Sequence, residues 1–144
     1  MVLIGILAVV ALPRLFGRIT FETRGYADQV RGALQYAQKV AIAERRNVCV
    51  AVAVGSVSLT KAASAGAGIA CSIDMINPTT GAASYNVAAP AGVTLTASLS
   101  PVIFDGLGQN VDATGTPRNA DVTVTVSGDS TTTITVEKVT GYAR

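Results

Sequence analysis

The sequence predicts an α+β protein: a long N-terminal α-helix packed on a small antiparallel β-sheet head domain. Three observations carry that expectation. Met1 to Leu12 contains no charged or hydrogen-bonding side chain. Apolar residues then recur at three- and four-residue intervals as far as about residue 47, and beyond Asn47 the period shortens to two. The expected organisation is therefore a helix over 1–47 and a β head over 48–144. The helix divides into an apolar membrane or filament-core part (1–13) and an amphipathic part (14–47).

The opening segment sets the problem the protein has to solve. A secretory signal has a basic region ahead of its apolar stretch, and here nothing precedes the apolar run. Twelve helical residues rise only about 18 Å, short of the roughly 20 residues that cross a bilayer core. Two readings fit. In one it is a buried helix of a soluble protein. In the other, which we favour, it is the end of a longer apolar helix, because it begins at full hydrophobicity without an N-cap residue. Ile4, Gly5, Leu7, Ala8, Ala11, Leu12 and Pro13 are the residues expected in a membrane or filament core, with Gly5, Ala8 and Ala11 forming a small-residue stripe.

Residues 14–47 follow as an amphipathic helix. Tyr26, Val30, Ala33, Leu34, Ala37, Val40 and Ala41 fall on one face, and Asp28, Arg31, Gln35, Gln38 and Arg45 on the other. Pro13 is expected to kink the helix or mark a joint. Gly17, Gly25 and Gly32 each weaken it relative to alanine.

Val48 to Val54 and Val57 to Lys61 read as strands joined by Gly55-Ser56. Ala62 to Gly68 is a loop by composition, and Ile69 to Ile73 a short strand carrying Cys71. Asn77 to Gly81 is a turn cluster, Val93 to Ala97 and Val102 to Phe104 are short strands, and Asp105 to Gly108 is a turn. The clearest hairpin closes the chain: Val122, Val124 and Val126 alternate with threonines, Ser127 to Ser130 turns, and Ile134 and Val136 alternate on the return.

Charge and composition narrow the function. The 144-residue chain has a net charge of +2. Residues 14–46 contribute +4 and the remainder −2, so a basic rod adjoins a mildly acidic head. Histidine is absent, which removes the commonest general base and metal ligand. Two cysteines cannot complete a structural zinc site. The chain is expected not to be an enzyme and to need no cofactor or metal. Cys49 and Cys71 lie in what read as adjacent strands. A disulfide between them would close a loop of about 23 residues, worth roughly 3 kcal/mol, and would fit an oxidising compartment; two buried thiols are the alternative. Lys39, Arg45 and Arg46 fit either an anion contact or a solvated helix end. Asp105, Asp112, Asp121 and Asp129 sit in or beside turns, where aspartate bonds its own backbone.

The order of parts resembles the type IV pilin-like proteins, in particular the GspH/FimT group of minor pilins and pseudopilins. The resemblance rests on four stretches. Gly5 to Pro13 is similar to the second half of the shared N-terminal helix, and Gln29 to Ile42 to the alanine-rich helix on the head side. Phe104 to Gly108, and Ile134 to Val136 with Thr140 to Arg144, are similar to two late motifs. Within the group the chain is most similar to the minor pilin of mannose-sensitive haemagglutinin pili. The group's processing site, a glycine-phenylalanine pair with a glutamate soon after, would fall before Met1, so the chain is expected to be N-terminally truncated.

The resemblance implies a pilin-like fold and a structural subunit of a type IV pilus or type II secretion pseudopilus, assembling at or near the filament tip. It implies storage in the inner membrane as a single-pass helix with the head in the periplasm. The expected partners are other pilins through the N-terminal helix, the inner membrane and its assembly platform. The alternative is a FimT-like DNA-binding minor pilin in DNA uptake, whose relatives end in Gly-Arg-x-Arg. Here that stretch is Gly141-Tyr142-Ala143-Arg144, with tyrosine in place of the first arginine. The candidate DNA contacts are Arg118, Lys138, Tyr142 and Arg144, too few cations for strong backbone neutralisation.

Overall fold

The structure, a computed structural model, describes the backbone of residues 2–144 and the side chains of residues 20–144. One helix, α1 (Val2–Glu44), runs without interruption through the position of Pro13. At 1.5 Å per residue its 43 residues extend about 65 Å. Among the described residues nine strands follow: β1 (Val48–Ala53), β2 (Ser56–Ala62), β3 (Cys71–Asp74), β4 (Tyr85–Ala88), β5 (Thr94–Ala97), β6 (Val102–Phe104), β7 (Asn110–Val111), β8 (Val122–Ser127) and β9 (Thr131–Val136).

The strands form two antiparallel sheets. The larger has the order β3-β2-β1-β6-β7, with β4 also paired to β2, and the smaller has the order β5-β8-β9. A backbone bond from Leu95 N–H to Val54 O (2.8 Å) ties β5 to the segment just after β1. The second half of α1 lies across both sheets, touching β1, β2, β6, β8 and β9.

Alternation in the strands determines which side chains meet the helix. Val48 and Val50 of β1, Val57 and Leu59 of β2, and Val122, Val124 and Val126 of β8 are fully or almost fully buried. They close on Tyr26, Val30, Ala33, Leu34, Ala37 and Ala41 in one continuous core. The small residues of α1 let the helix sit close to the sheet, and Tyr26 and Leu34 fill the remaining depth. Buried Tyr26 keeps its hydroxyl satisfied by donating to Val87 O on β4 (3.1 Å).

At the amino-terminal side of this contact the β8–β9 turn abuts α1. Thr20 donates its hydroxyl to Asp129, and a Cβ placed on Gly128 would collide with buried Thr23. The helix ends at Glu44. Arg45 takes the left-handed conformation (φ 52°), and Arg46 N–H reaches back to Ala41 O (3.2 Å), the bond that closes a Schellman-type cap.

Several sequence expectations change. The helix and the strands read from the sequence after it are found, but β4 and β7 were not expected from the sequence, and the strands split into two sheets. Gln35 and Gln38 do not lie on a free polar face. Gln35 donates to Ala143 O (3.0 Å), and Gln38 donates to Gly108 O (3.0 Å) and Thr140 O (2.6 Å). The physical reason is that the carboxyl-terminal segment and the β6–β7 turn both close against this stretch of α1 and present carbonyls that need donors. The two cysteines do form a disulfide, with Cα atoms 6.1 Å apart. Their strands are not neighbours, however, because β2 lies between β1 and β3. A register shift between Lys61 and Ala62 accompanies this bridge across the middle strand.

Candidate assembly surfaces

The residues expected in a membrane or filament core, Ile4, Gly5, Leu7, Ala8, Ala11, Leu12 and Pro13, lie outside the described side chains. Their backbone belongs to α1. Among the described residues no helix is long and apolar enough to cross a membrane.

The carboxyl-terminal segment is held by three separate elements. Thr135 and Arg144 exchange backbone bonds in both directions (2.9 and 3.0 Å), and Glu137 N–H bonds Tyr142 O (3.0 Å). Gly141 then adopts a positive φ of 67° in the Glu137–Tyr142 turn. Gly108, at φ 80° in the β6–β7 turn, touches it so closely that a Cβ on Gly141 would collide with Gly108 O. Gln38 of α1 donates to both turns. The two late sequence motifs and the helix motif therefore meet at one junction. The glycines were visible in the sequence; their contact across 33 residues was not.

This junction carries exposed apolar side chains. Leu107, next to Gly108, is 77 % exposed, and Tyr142, next to Gly141, is 52 % exposed. Ile42 packs its side chain against Gly108 yet remains about half exposed, and Val139 projects from the same tail turn. Ile42, Arg45, Asn47, Asp105 and Leu107 line an open cavity of about 700 Å³ between the end of α1 and the β6–β7 turn.

The candidate DNA contacts are arranged differently from a basic groove. Arg144 pairs with Glu137 (3.2 Å). Lys138 donates its ammonium to Asn119 O (3.2 Å), while its backbone N–H is held by Asp121 (2.9 Å). Arg118 lies close enough to Asp112 to help hold that carboxyl down. Each of the three cations thus sits beside an acid or a carbonyl, and Tyr142, the fourth candidate, presents an exposed ring. At the helix end Arg46 donates to Ala63 O (2.9 Å) and Lys61 bridges to Glu44 (2.9 Å).

Two acids act on their own turns. Asp105 accepts from Leu107 N–H (3.0 Å) and Gln109 N–H (2.8 Å). Asp112 repeats the pattern with Thr114 N–H (2.9 Å) and Thr116 N–H (3.0 Å), and accepts from the Thr114 hydroxyl as well (2.6 Å). The Thr114 hydroxyl and the backbone of Thr116 hold the Asp112 carboxyl below the usual carboxylate range. Asp121 instead bonds across to Lys138, and Asp129 meets Thr20. Among the described residues no group of three or more acidic or cysteine side chains is placed to hold a metal ion. The sequence placed Gln38 on the polar face of α1 and gave Ile42 and Leu107 no role beyond the helix and turn motifs that contain them. The adjoining motif glycines, Gly108 and Gly141, were the available signal.

No family model and no curated protein matches the sequence. The fold, by contrast, is similar to solved structures. The minor pseudopilin EpsH of the Type 2 Secretion System of Vibrio cholerae aligns with a TM-score of 0.60 at 13 % identity, over 85 % of this chain and 94 % of that one. The type IV minor pilin FimU of Pseudomonas aeruginosa (strain PAO1) aligns in two crystal forms. One gives a TM-score of 0.59 at 16 % identity, over 84 % of this chain and 86 % of that one. The other gives 0.57 at 17 % identity, over 84 % and 90 %. With its carboxyl-terminal helical half laid on antiparallel sheets, the chain has the pilin-type α+β fold.

Proposed function

We propose that this chain is a minor pilin or pseudopilin, a structural subunit of a type IV pilus or type II secretion pseudopilus that assembles at or near the filament tip. The observation that carries the reading is the division of labour along α1. From Tyr26 to Ala41 its apolar face is buried under the head, whereas Val2 to Leu12, with no polar side chain in their sequence, belong to the other end of the same helix. A helix satisfies its own backbone, so an apolar helix end is at home in lipid or among like helices. The pilin-type fold supports this reading.

In this mechanism the helix is first stored in the inner membrane with the head in the periplasm. The assembly platform then moves it from lipid into a bundle of neighbouring pilin helices. The Cys49–Cys71 disulfide suits an oxidising periplasm. No step calls for a catalytic group, and the protein acts as a building block rather than an enzyme.

Filaments sheared from cells and probed with an antibody to the head test the reading. The expected result is the chain in the filament fraction in small amounts, with fewer filaments in a deletion strain. Normal filaments in the deletion strain, with the chain confined to the soluble fraction, would overturn it.

A further inference from the structure

We infer that the cleft between α1 and β4 is a binding site for a neutral saccharide, an inference that goes beyond the filament reading and uses the head alone. The cleft has a volume of about 660 Å³, within the roughly 300–1,000 Å³ of small-molecule sites. Tyr36 of α1 and Tyr85 of β4, both half-buried, line it as a stacked pair, with ring centroids 5.7 Å apart and planes 18° from parallel. Near-parallel rings at that separation are displaced sideways, so the stack leaves part of each ring face uncovered. Burial, and then the neighbouring Tyr36, raises the Tyr85 phenol above its ordinary range and keeps it a neutral donor.

The rest of the lining is polar without being charged. Gln29, Asn77 and Asn86 bring three carboxamides to the cleft, and Thr79 and Thr80 bring hydroxyls. Among the described residues no charged side chain lines it. Asp28 and Arg31, next to Gln29 and Gly32 in sequence, pair with each other at 3.3 Å and stay outside the lining. The turn that carries Asn77 is held in advance: Asn77 Oδ1 accepts from Thr79 N–H (2.9 Å), and Asn77 O accepts from Gly81 N–H (2.7 Å). Little ordering is then left for a ligand to impose. Gly32 keeps the helix side open, because a Cβ there would meet nothing within 4 Å.

A sugar matches this lining in two ways. One face of a pyranose ring carries weakly positive C–H bonds, which rest on the negative face of an aromatic ring. Its hydroxyls each donate and accept, and so do carboxamides. A proline-rich segment also lies well on tyrosines, but its prolines have no N–H, so it leaves the carboxamide oxygens short of donors. An anionic ligand finds no cation in the lining to offset its lost hydration.

The test uses the full-length chain in an amine-oxide detergent, which has no sugar headgroup to compete. The chain is applied to a printed array of neutral, sialylated and sulfated oligosaccharides, with an immobilised proline-rich peptide alongside. Neutral glycans are expected to retain it. One of them is then titrated by the change in tyrosine fluorescence, since the chain has no tryptophan. Gly32→Gln fills open space at a position where glycine is a poor helix former, so it blocks the cleft and keeps the fold. It should weaken binding about tenfold or more. Asn86→Ala, at an exposed position of β4, should weaken it several-fold through a lost hydrogen bond. Four results each overturn the assignment: no neutral glycan retains the chain, sialylated or sulfated glycans are preferred, the peptide retains it in their place, or Gly32→Gln leaves the affinity unchanged. None of them bears on the filament reading, which the sheared-filament experiment tests separately.

Discussion

Gly141 and Gly108, from two turns 33 residues apart, touch so closely that neither turn has room for a side chain at position 141. Both adopt positive φ, which glycine alone takes without cost. Gly141→Ala therefore combines backbone strain with a collision against a carbonyl oxygen. We expect a loss of roughly 2–4 kcal/mol, at the upper end for single substitutions. Gln38→Ala, which leaves the Gly108 and Thr140 carbonyls without their donor, should cost about 1–3 kcal/mol. Urea denaturation checks both, and a Gly141→Ala protein as stable as the parent would show that the junction is looser than described.

The disulfide is worth testing by reduction as well as by substitution. It joins residues 22 apart in sequence, a loop for which chain-entropy arguments give roughly 3 kcal/mol. Cys49→Ala with Cys71→Ala should lower the melting temperature by several degrees or more, and a reductant should lower that of the parent but not of the double variant.

Tyr26 joins two roles, filling the core and holding Val87 O of β4 with its hydroxyl. Tyr26→Phe keeps the ring and loses the bond, so a cost of about 1 kcal/mol is expected. Burial also raises the phenol above its ordinary pKa. A group whose folded pKa is raised stabilises below its unfolded value and loses that contribution as pH climbs through the folded one. The parent should therefore lose stability above about pH 10, and Tyr26→Phe should lose less of it over the same range.

At the acid end the sign reverses. The Asp112 carboxyl is held low, first by the Thr114 hydroxyl and then by the Thr116 backbone. Its contribution is present above the ordinary carboxylate value and disappears as pH falls through the lowered folded value. Hydrogen exchange should show the 112–117 turn loosening below about pH 4. Asp112→Asn should weaken the turn at neutral pH and flatten that acid response.

Legibility in the sequence followed the strength of local pattern. The β8–β9 hairpin was readable because Val122, Val124 and Val126 alternate without a break and Ser127 to Ser130 turn the chain. The core face of α1 was readable for the same reason at a different period. Strand β4 was missed because Tyr85 to Ala88 is short and bordered by the small residues Ser84 and Ala89, and its place depends on pairing with β2 and on Tyr26. Strand β7 has two residues and depends on β6 for its partners. The polar face of α1 was misread at Gln35 and Gln38 because periodicity reports polarity, not what a polar group will bond. Their acceptors lie between 70 and 108 residues away in sequence. The cysteines were correctly paired, but on strands wrongly taken as neighbours, since no local signal reveals that β2 runs between them.

The most direct measurement of the central claim places a photo-activated cross-linker at Leu7 in chains assembled into filaments. The account predicts adducts between chains, mapping to the first 13 residues of a neighbouring pilin. Adducts formed only within one chain, joining position 7 to its own β head, would contradict it.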